Sequence, residues 1–449
     1  MNAPTKLIEN ISIHGIQYIF VGHVSKYTRV FWSLVVLTSI GGLLFNNYLL
    51  YQKLNEIPDI SIRTSQIFTN EIPFPAVTVC TSLFAKNQLG RYFYATKSVR
   101  ANPNVDLNLS IQDQNYLASN IHACNPETAE SFRNNVKNRT KTNIVHLLNE
   151  SSLTLHEVLL NCAYQSIVID CSYIFNRVLT DRGFCYSFNL QGFNTIFNEK
   201  IISEDFYSYK RSNVRKSMFA FNPLINEKLD DSNEVFQWSL DHSFAKDHDA
   251  DSVPVKAEKG IFFSFNVHLN ESDTSNICLQ IGNIFSFYIH LPNEIMLPMH
   301  QEHYVEFKRK RDIVLAAKLY KIDEGMRKFP PKIRGCYFEH EKQLQFFKTY
   351  TKALCEYECM INYTLSECGC VKFSMPRTSN TPVCSVDEAG CYLKARKKWP
   401  DYSKTNDRFE ATCRCLKTCN NIKYEVKFDK ISTGENVMFI YDVFNISKA

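Results

Sequence analysis

Hydrophobic and polar positions separate one long apolar run from a body of short patterned segments. Residues 30–51, VFWSLVVLTSIGGLLFNNYLLY, carry no charge and are long enough to cross a bilayer. Ser33, Thr38, Ser39, Gly41, Gly42, Asn46 and Asn47 dilute the run, and small or polar residues in a span commonly face other helices. A cleaved signal peptide fits poorly, because the run lies well inside the chain and exceeds the apolar core of such leaders. A buried helix of a soluble core is the weaker alternative. Lys6, Lys26 and Arg29 precede the run against Glu9 alone, which places residues 1–29 in the cytosol and keeps the sequon at Asn10 away from glycosylation.

Downstream, alternation marks strands. Val77 and Val79 flank Thr78 behind Pro73 and Pro75, whose restricted backbone opens an extended segment. Residues 261–269, 285–291 and 422–428 alternate in the same way. Residues 85–160 are polar and Asn-rich, with helix-like patches such as 143–161. Leu344, Phe347, Thr351, Leu354 and Glu358 follow helical steps from Glu341, which predicts a helix over 341–362.

Cysteines concentrate at the end of this pattern. Ten of the sixteen lie between Cys336 and Cys419. Cys355 and Cys359 sit four apart on one helical face. Cys413 and Cys415 sit two apart, hence on one face of an extended segment. A helix packed antiparallel to that segment joins Cys359 to Cys413 and Cys355 to Cys415. The same nesting puts Cys336–Cys419 outside, with Cys368–Cys391 and Cys370–Cys384 inside. Ten cysteines allow on the order of a thousand pairings, so spacing alone does not prove this one. Zinc is the alternative, but its usual knuckle is a doubled Cys-x2-Cys. No metal or cofactor is expected.

Composition places these bridges outside the cytosol. An even cysteine count favours an oxidising compartment. Sequons at Asn108, Asn138, Asn149, Asn270, Asn362 and Asn445 agree with that side of a membrane. The net charge of +5 is small for 449 residues and gives no reason to expect a nucleic-acid partner. Residues 229–252 hold Asp230, Asp231, Asp241, His242, Asp247, His248, Asp249 and Asp251. They read as a solvated loop without calcium-loop spacing. The basic runs Lys308 to Arg311 and Lys394 to Lys398 read as solvated strand faces. No Gly-x-Ser-x-Gly, His-Glu-x-x-His or phosphate loop occurs, so an enzyme is not expected. A secretory-pathway enzyme would have to use the 229–252 cluster.

The run CYFEHEKQLQFFKTYTKALCEYECMINYTLSECGCVKFSMPR (336–377), followed by CRCLKTC (413–419), resembles the thumb of degenerin/epithelial sodium channel subunits, and is most similar to the pickpocket branch. The resemblance implies a membrane helix followed by a disulfide-rich α+β ectodomain. Its parts would be a cytosolic 1–29, a span at 30–51, palm and finger over 52–335, a thumb at 336–419, and palm strands at 420–449. His14 and Gly15 match a His-Gly pair that influences gating in the family. Gly183-Phe-Cys185-Tyr-Ser-Phe-Asn189 resembles the phrase that returns to the palm, which implies a Cys80–Cys185 bridge. Cys162 and Cys171 are close enough for a local bridge, leaving Cys124–Cys278 by elimination.

The implied function is a subunit of an amiloride-sensitive-type sodium channel at the plasma membrane. Its expected partners are the membrane, sodium ions and related subunits in a homo- or hetero-trimer. The family's second span, with its Gly-x-Ser filter, has no counterpart here, since residues 420–449 hold charges and no uncharged run of twenty. The chain as given is therefore expected not to conduct alone. A single-span surface binding protein, or a truncated regulatory subunit built on the channel ectodomain, is the alternative.

Overall fold

The fold is described from a computed structural model covering residues 15–20, 24–56, 72–81, 83–85, 110–123, 143–164, 167–203, 206, 236–246, 254, 257, 262–267, 274–276, 284–306, 309–385, 388–405, 413–433 and 436–441. The chain divides into two units. One comprises Met1–Ile62 with Glu324–Gly335, the other Arg63–Asp323 with Cys336–Ala449.

In the first unit, Ile16–Phe20 is a short helix and Lys26–Glu56 a long one. Ser25 starts the long helix, its hydroxyl accepting from the Thr28 amide at 3.3 Å. The apolar stretch Lys26–Lys53 is long enough to cross a membrane and outruns residues 30–51 at both ends. Four of its polar side chains donate back into the helix. Thr38 and Ser39 donate to the Leu34 and Val35 carbonyls, and Asn46 and Asn47 to those of Gly42 and Leu43. Each bond reaches one turn back, so these side chains can lie in lipid with their donors paired. Glu324–Gly335 forms two short helical turns, closed where Gly335 takes φ +72°.

The second unit is built on two sheets. The first has the order Glu302–Glu306, Ile284–His290, Ala76–Thr81, Gly183–Phe188, Phe175–Thr180, antiparallel throughout. The second runs Asn421–Thr433, Arg309–Tyr320, Asn436–Tyr441, Phe262–Val267, Leu159–Tyr164, Ile167–Ile169. In it, Arg309–Tyr320 pairs parallel with Asn436–Tyr441, and the other neighbours are antiparallel. Val77, Val79, Phe188, Phe287 and Val305 of the first sheet share one core with Phe265, Ile313, Leu315, Val437 and Phe439 of the second. Ala76–Thr81 and Gly183–Phe188, in the middle of the first sheet, are buried on both faces, and each large apolar side chain so buried contributes roughly 1.5–3 kcal/mol.

The cysteine-rich lobe departs from the sequence reading in three places. Its helix is Lys352–Cys368, not 341–362. Thr351 caps it, accepting from the Leu354 amide at 3.1 Å, and Gly369 ends it at φ +69°. Residues 342–350 are an arch without helix. The Glu358 carboxylate takes the amides of Gln345 and Phe346, and Phe346, Phe347 and Tyr350 are buried in the core. Cys413–Cys415 is a turn, not an extended segment: Arg414 has φ +43°, and the Lys342 ammonium donates to the carbonyls of Cys413 and Arg414. Lys394 to Lys398 lie on a helix, Ala389–Thr405, not on a strand. The 143–161 patch resolves into helices Ile144–Ser151 and Leu155–Val158 and the start of a strand.

Candidate gating and coupling elements

Gly15 is the first described residue of its unit. It is buried and has φ +98°, a conformation that suits glycine. An added Cβ would lie 2.8 Å from Cε3 of Trp32 on the long helix. Tyr18, one turn on, donates its amide to the Gly15 carbonyl at 3.2 Å and stacks on Trp32 with ring centres 5.2 Å apart. The segment before the helix therefore docks on it through a glycine and an aromatic. His14 lies outside the described residues.

The disulfides draw the cysteine-rich lobe into one body. Cys355–Cys415 and Cys359–Cys413 tie the helix to the turn. Cys336–Cys419 closes the base beside a two-residue parallel pairing of Cys336–Tyr337 with Lys417–Thr418. Cys368–Cys391 joins the two helices, and Cys370–Cys384 pins the intervening loop. In the sheets, Cys80–Cys185 links adjacent strands, and Cys162–Cys171 closes a local loop. Cys124 and Cys278 lie outside the described residues. The sulfurs of Cys370 and Cys384 lie near Glu388, but as a disulfide they have no thiolate to offer a metal.

The lobe meets the first sheet through a shared apolar core, in which Leu179 and Phe184 join Phe346, Tyr357 and Phe373, and through an ion cluster around a buried carboxylate. Asp181 sits at the tip of the Phe175–Phe188 hairpin. Lys372 Nζ lies 2.7 Å and Arg396 Nη1 2.6 Å from its carboxylate, and the Ser374 hydroxyl donates at 3.2 Å. Burial opposes ionisation of Asp181, but the Lys372 and Arg396 cations outweigh it and hold the carboxyl well below the usual range. Lys372 is itself buried and lies over the rings of Phe373 and Tyr392. His122 stacks on Tyr392, and burial, with the nearby Lys372 charge, lowers it to about 3. On the far side of the turn, Arg182 pairs with Glu302 at 2.8 Å, and Glu302 accepts from the hydroxyls of Tyr288 and Tyr304.

Sequence reasoning missed Asp181, Lys372 and Arg396. The turn around Gly183 was visible in the sequence, but nothing local shows that two cations from a distant lobe close on it. It also took Asp241 for a loop residue. Asp241 is buried, accepting from the Asn420 side chain at 2.9 Å and the Glu339 amide at 3.1 Å, while its neighbour His242 is exposed. Asp230, Asp231, Asp247, His248, Asp249 and Asp251 lie outside the described residues, as do the sequons at Asn108, Asn138, Asn270 and Asn445. Asn362 is exposed on the Lys352–Cys368 helix. Asn149 is half-buried and accepts from Arg177 Nη1 at 2.5 Å.

A family model described as amiloride-sensitive sodium channel matches residues 7–442, both units together. The chain belongs to the amiloride-sensitive sodium channel family. It is 24% identical to Pickpocket protein 28 of Drosophila melanogaster, over 96% of this chain and 66% of that protein. It is 21% identical to the sodium channel protein Nach of the same species, over 93% of this chain and 71% of the relative. It is 21% identical to acid-sensing ion channel 1C of Danio rerio, over 97% of this chain and 70% of the relative. The chain thus spans about two thirds of the pickpocket relative's length. The family is one of ion channels, not of enzymes. Membership and the apolar Lys26–Lys53 helix together make this a membrane protein with a disulfide-rich mixed-sheet body.

Proposed function

We propose that the chain is a subunit of a sodium channel of the amiloride-sensitive type, working at the plasma membrane in a homo- or hetero-trimer with related subunits. The match over residues 7–442 carries this reading, since it runs through the apolar helix and the disulfide lobe alike. In this assignment the two sheets are the palm, residues 336–419 the thumb, and the polar stretch before residue 160 part of the finger. Within the apolar Lys26–Lys53 helix, residues 30–51 are the first span, with residues 1–29 cytosolic and the bulk of the chain extracellular. Disulfides favour the oxidising side, and the exposed Asn362 sequon is available to a glycan there.

Transmission would be mechanical. A stimulus that moves the thumb moves a body braced by five bridges between Cys336 and Cys419, and the Asp181 cluster passes that motion to the first sheet. Gly15 and Trp32 would set the position of the segment before the span.

Affinity purification of the tagged chain from cells co-expressing a complete pickpocket-type subunit tests the assembly. A mixed complex of trimer mass is expected. Recovery of the chain alone, with both proteins at the surface, would overturn it.

A further inference from the structure

We propose that a cleft at the edge of the first sheet binds a small carboxylate with an apolar tail, and that Arg177 is the counter-charge for that carboxylate. The inference rests on the second unit alone and does not depend on channel activity.

Phe175–Thr180 is an edge strand of the first sheet, paired within it to Gly183–Phe188 alone. The cleft is formed by this strand, by the short helix Phe193–Ile196 with its flanking residues, and by Ile295 and Met296. Its walls are mainly apolar, with Val178, Leu179, Leu190, Phe193 and Met296 among them. Leu179, Ile196 and Ile295 belong to a buried core, and Phe193 stacks on Phe197 with ring centres 4.5 Å apart. Packing therefore fixes these walls before any ligand arrives. The cleft encloses about 50 Å³ and, counting its open mouth, about 560 Å³. The enclosed part is several times what one water requires, so a chain of a few methylenes enters and a large ring system does not.

Arg177 is the one charged residue of the lining. It is half-buried, and its partners are neutral. Nη1 donates to the Asn149 side chain, and Nη2 to the Asn149 carbonyl at 3.3 Å and to the Ser152 hydroxyl. The guanidinium also lies over the Phe184 ring, 4.2 Å from its centre. Nε is buried with no hydrogen-bond partner among the described residues. No carboxylate is among the groups that act on this cation: burial disfavours it, and the Tyr186 phenol is the opposing influence. Sequestered cations are ordinarily paired with an anion. Here neutral acceptors hold the guanidinium in place and leave its charge unanswered.

The missing partner is defined by these two features together. A carboxylate supplies the charge and matches the planar guanidinium better than any neutral acceptor. An apolar tail displaces water from Val178, Leu190 and Phe193, which a bare inorganic anion cannot do. A neutral amide forgoes the charge, and an ammonium is repelled. Because the walls and the guanidinium are already positioned, binding orders little beyond the ligand itself. Two sources carry this chemistry, a short free fatty acid and an N-acylated apolar amino acid.

Fluorine NMR of a trifluoromethyl-terminated hexanoate reads the site, using the full chain in nanodiscs against empty nanodiscs. The resonance should broaden saturably with the chain, and unlabelled hexanoate should reverse the broadening. Hexanoate should compete at least about tenfold better than hexanamide or hexylammonium. Competition should strengthen from acetate to hexanoate by up to about fourfold per methylene until the tail fills the cleft. Arg177→Gln should weaken hexanoate about tenfold and leave hexanamide unchanged. Leu190→Trp, which fills the cleft, should abolish binding of both. N-acetylleucine competing better than hexanoate assigns the acylated amino acid as the source, and the reverse order assigns the free fatty acid. Equal competition by hexanoate, hexanamide and hexylammonium, or no saturable broadening at about 10 mM probe, would overturn the proposal. Should the variants fail to fold, the comparison of the three competitors on the wild-type chain decides by itself.

Discussion

Gly15 and Trp32 touch so closely that nothing larger than hydrogen fits between them: a Cβ on Gly15 would stand 2.8 Å from the indole. The backbone conformation at φ +98° adds a second requirement for glycine. Gly15→Ala should cost about 1–3 kcal/mol locally from conformation alone, with the steric clash added to it. The segment before the helix should then shift, and the current of a channel containing the subunit should change at equal surface expression. Trp32→Ala relieves the clash and leaves the φ requirement. The double variant should therefore recover part of the Gly15→Ala defect, and strict additivity of the two effects would contradict the contact.

The Asp181 cluster should behave as a unit. Removing Asp181 leaves Lys372 buried without its partner, and breaking such a pair costs roughly 3–5 kcal/mol. Asp181→Asn should lower the unfolding temperature of the chain more than Glu425→Gln, whose pair with Lys318 at 2.7 Å is about one-third exposed. The pH dependence has a fixed sign. The folded pKa of Asp181 is depressed, so its contribution is present above the ordinary aspartate value and is lost as pH falls below about 4. Acid unfolding of Asp181→Asn should lack that component. Equal acid profiles for the variant and wild type would count against the cluster.

Loss of a bridge should weaken delivery more than local structure. Cys359→Ser removes one of the two bridges that tie the Lys352–Cys368 helix to the Cys413–Cys415 turn and leaves Cys413 as an odd thiol, at a cost of about 2–5 kcal/mol. Surface biotinylation should show reduced arrival, and Cys336→Ser, which opens the longest bridge of the lobe at a separation of 83 residues, should be at least as severe. Normal surface amounts for both variants would contradict the bracing role.

Much of this arrangement is legible from spacing. Cys355 and Cys359, four apart, do lie in one helix, and Val77 and Val79 lie in one strand, because local geometry sets both. The apolar helix is legible for the same reason, and Thr38, Ser39, Asn46 and Asn47 within it find acceptors one turn away. The arch at 342–350 was misread because Leu344, Phe347 and Thr351 fall at helical intervals while the backbone is held open by Glu358, which lies beyond them in sequence. Asp181 and Asp241 were illegible because their partners come from 191 and 179 residues away. A buried carboxylate and a solvated one look the same in sequence until the distant donor is known.

The most direct test is whole-cell recording of sodium current in cells expressing a complete pickpocket-type subunit, with and without this chain. Amiloride-sensitive sodium current should change in amplitude or gating when the chain reaches the surface in the same complex, and Gly15→Ala should alter that effect at unchanged surface abundance. An identical current in all three conditions, with co-assembly at the surface demonstrated, would contradict the assignment of this chain as a working subunit of a sodium channel.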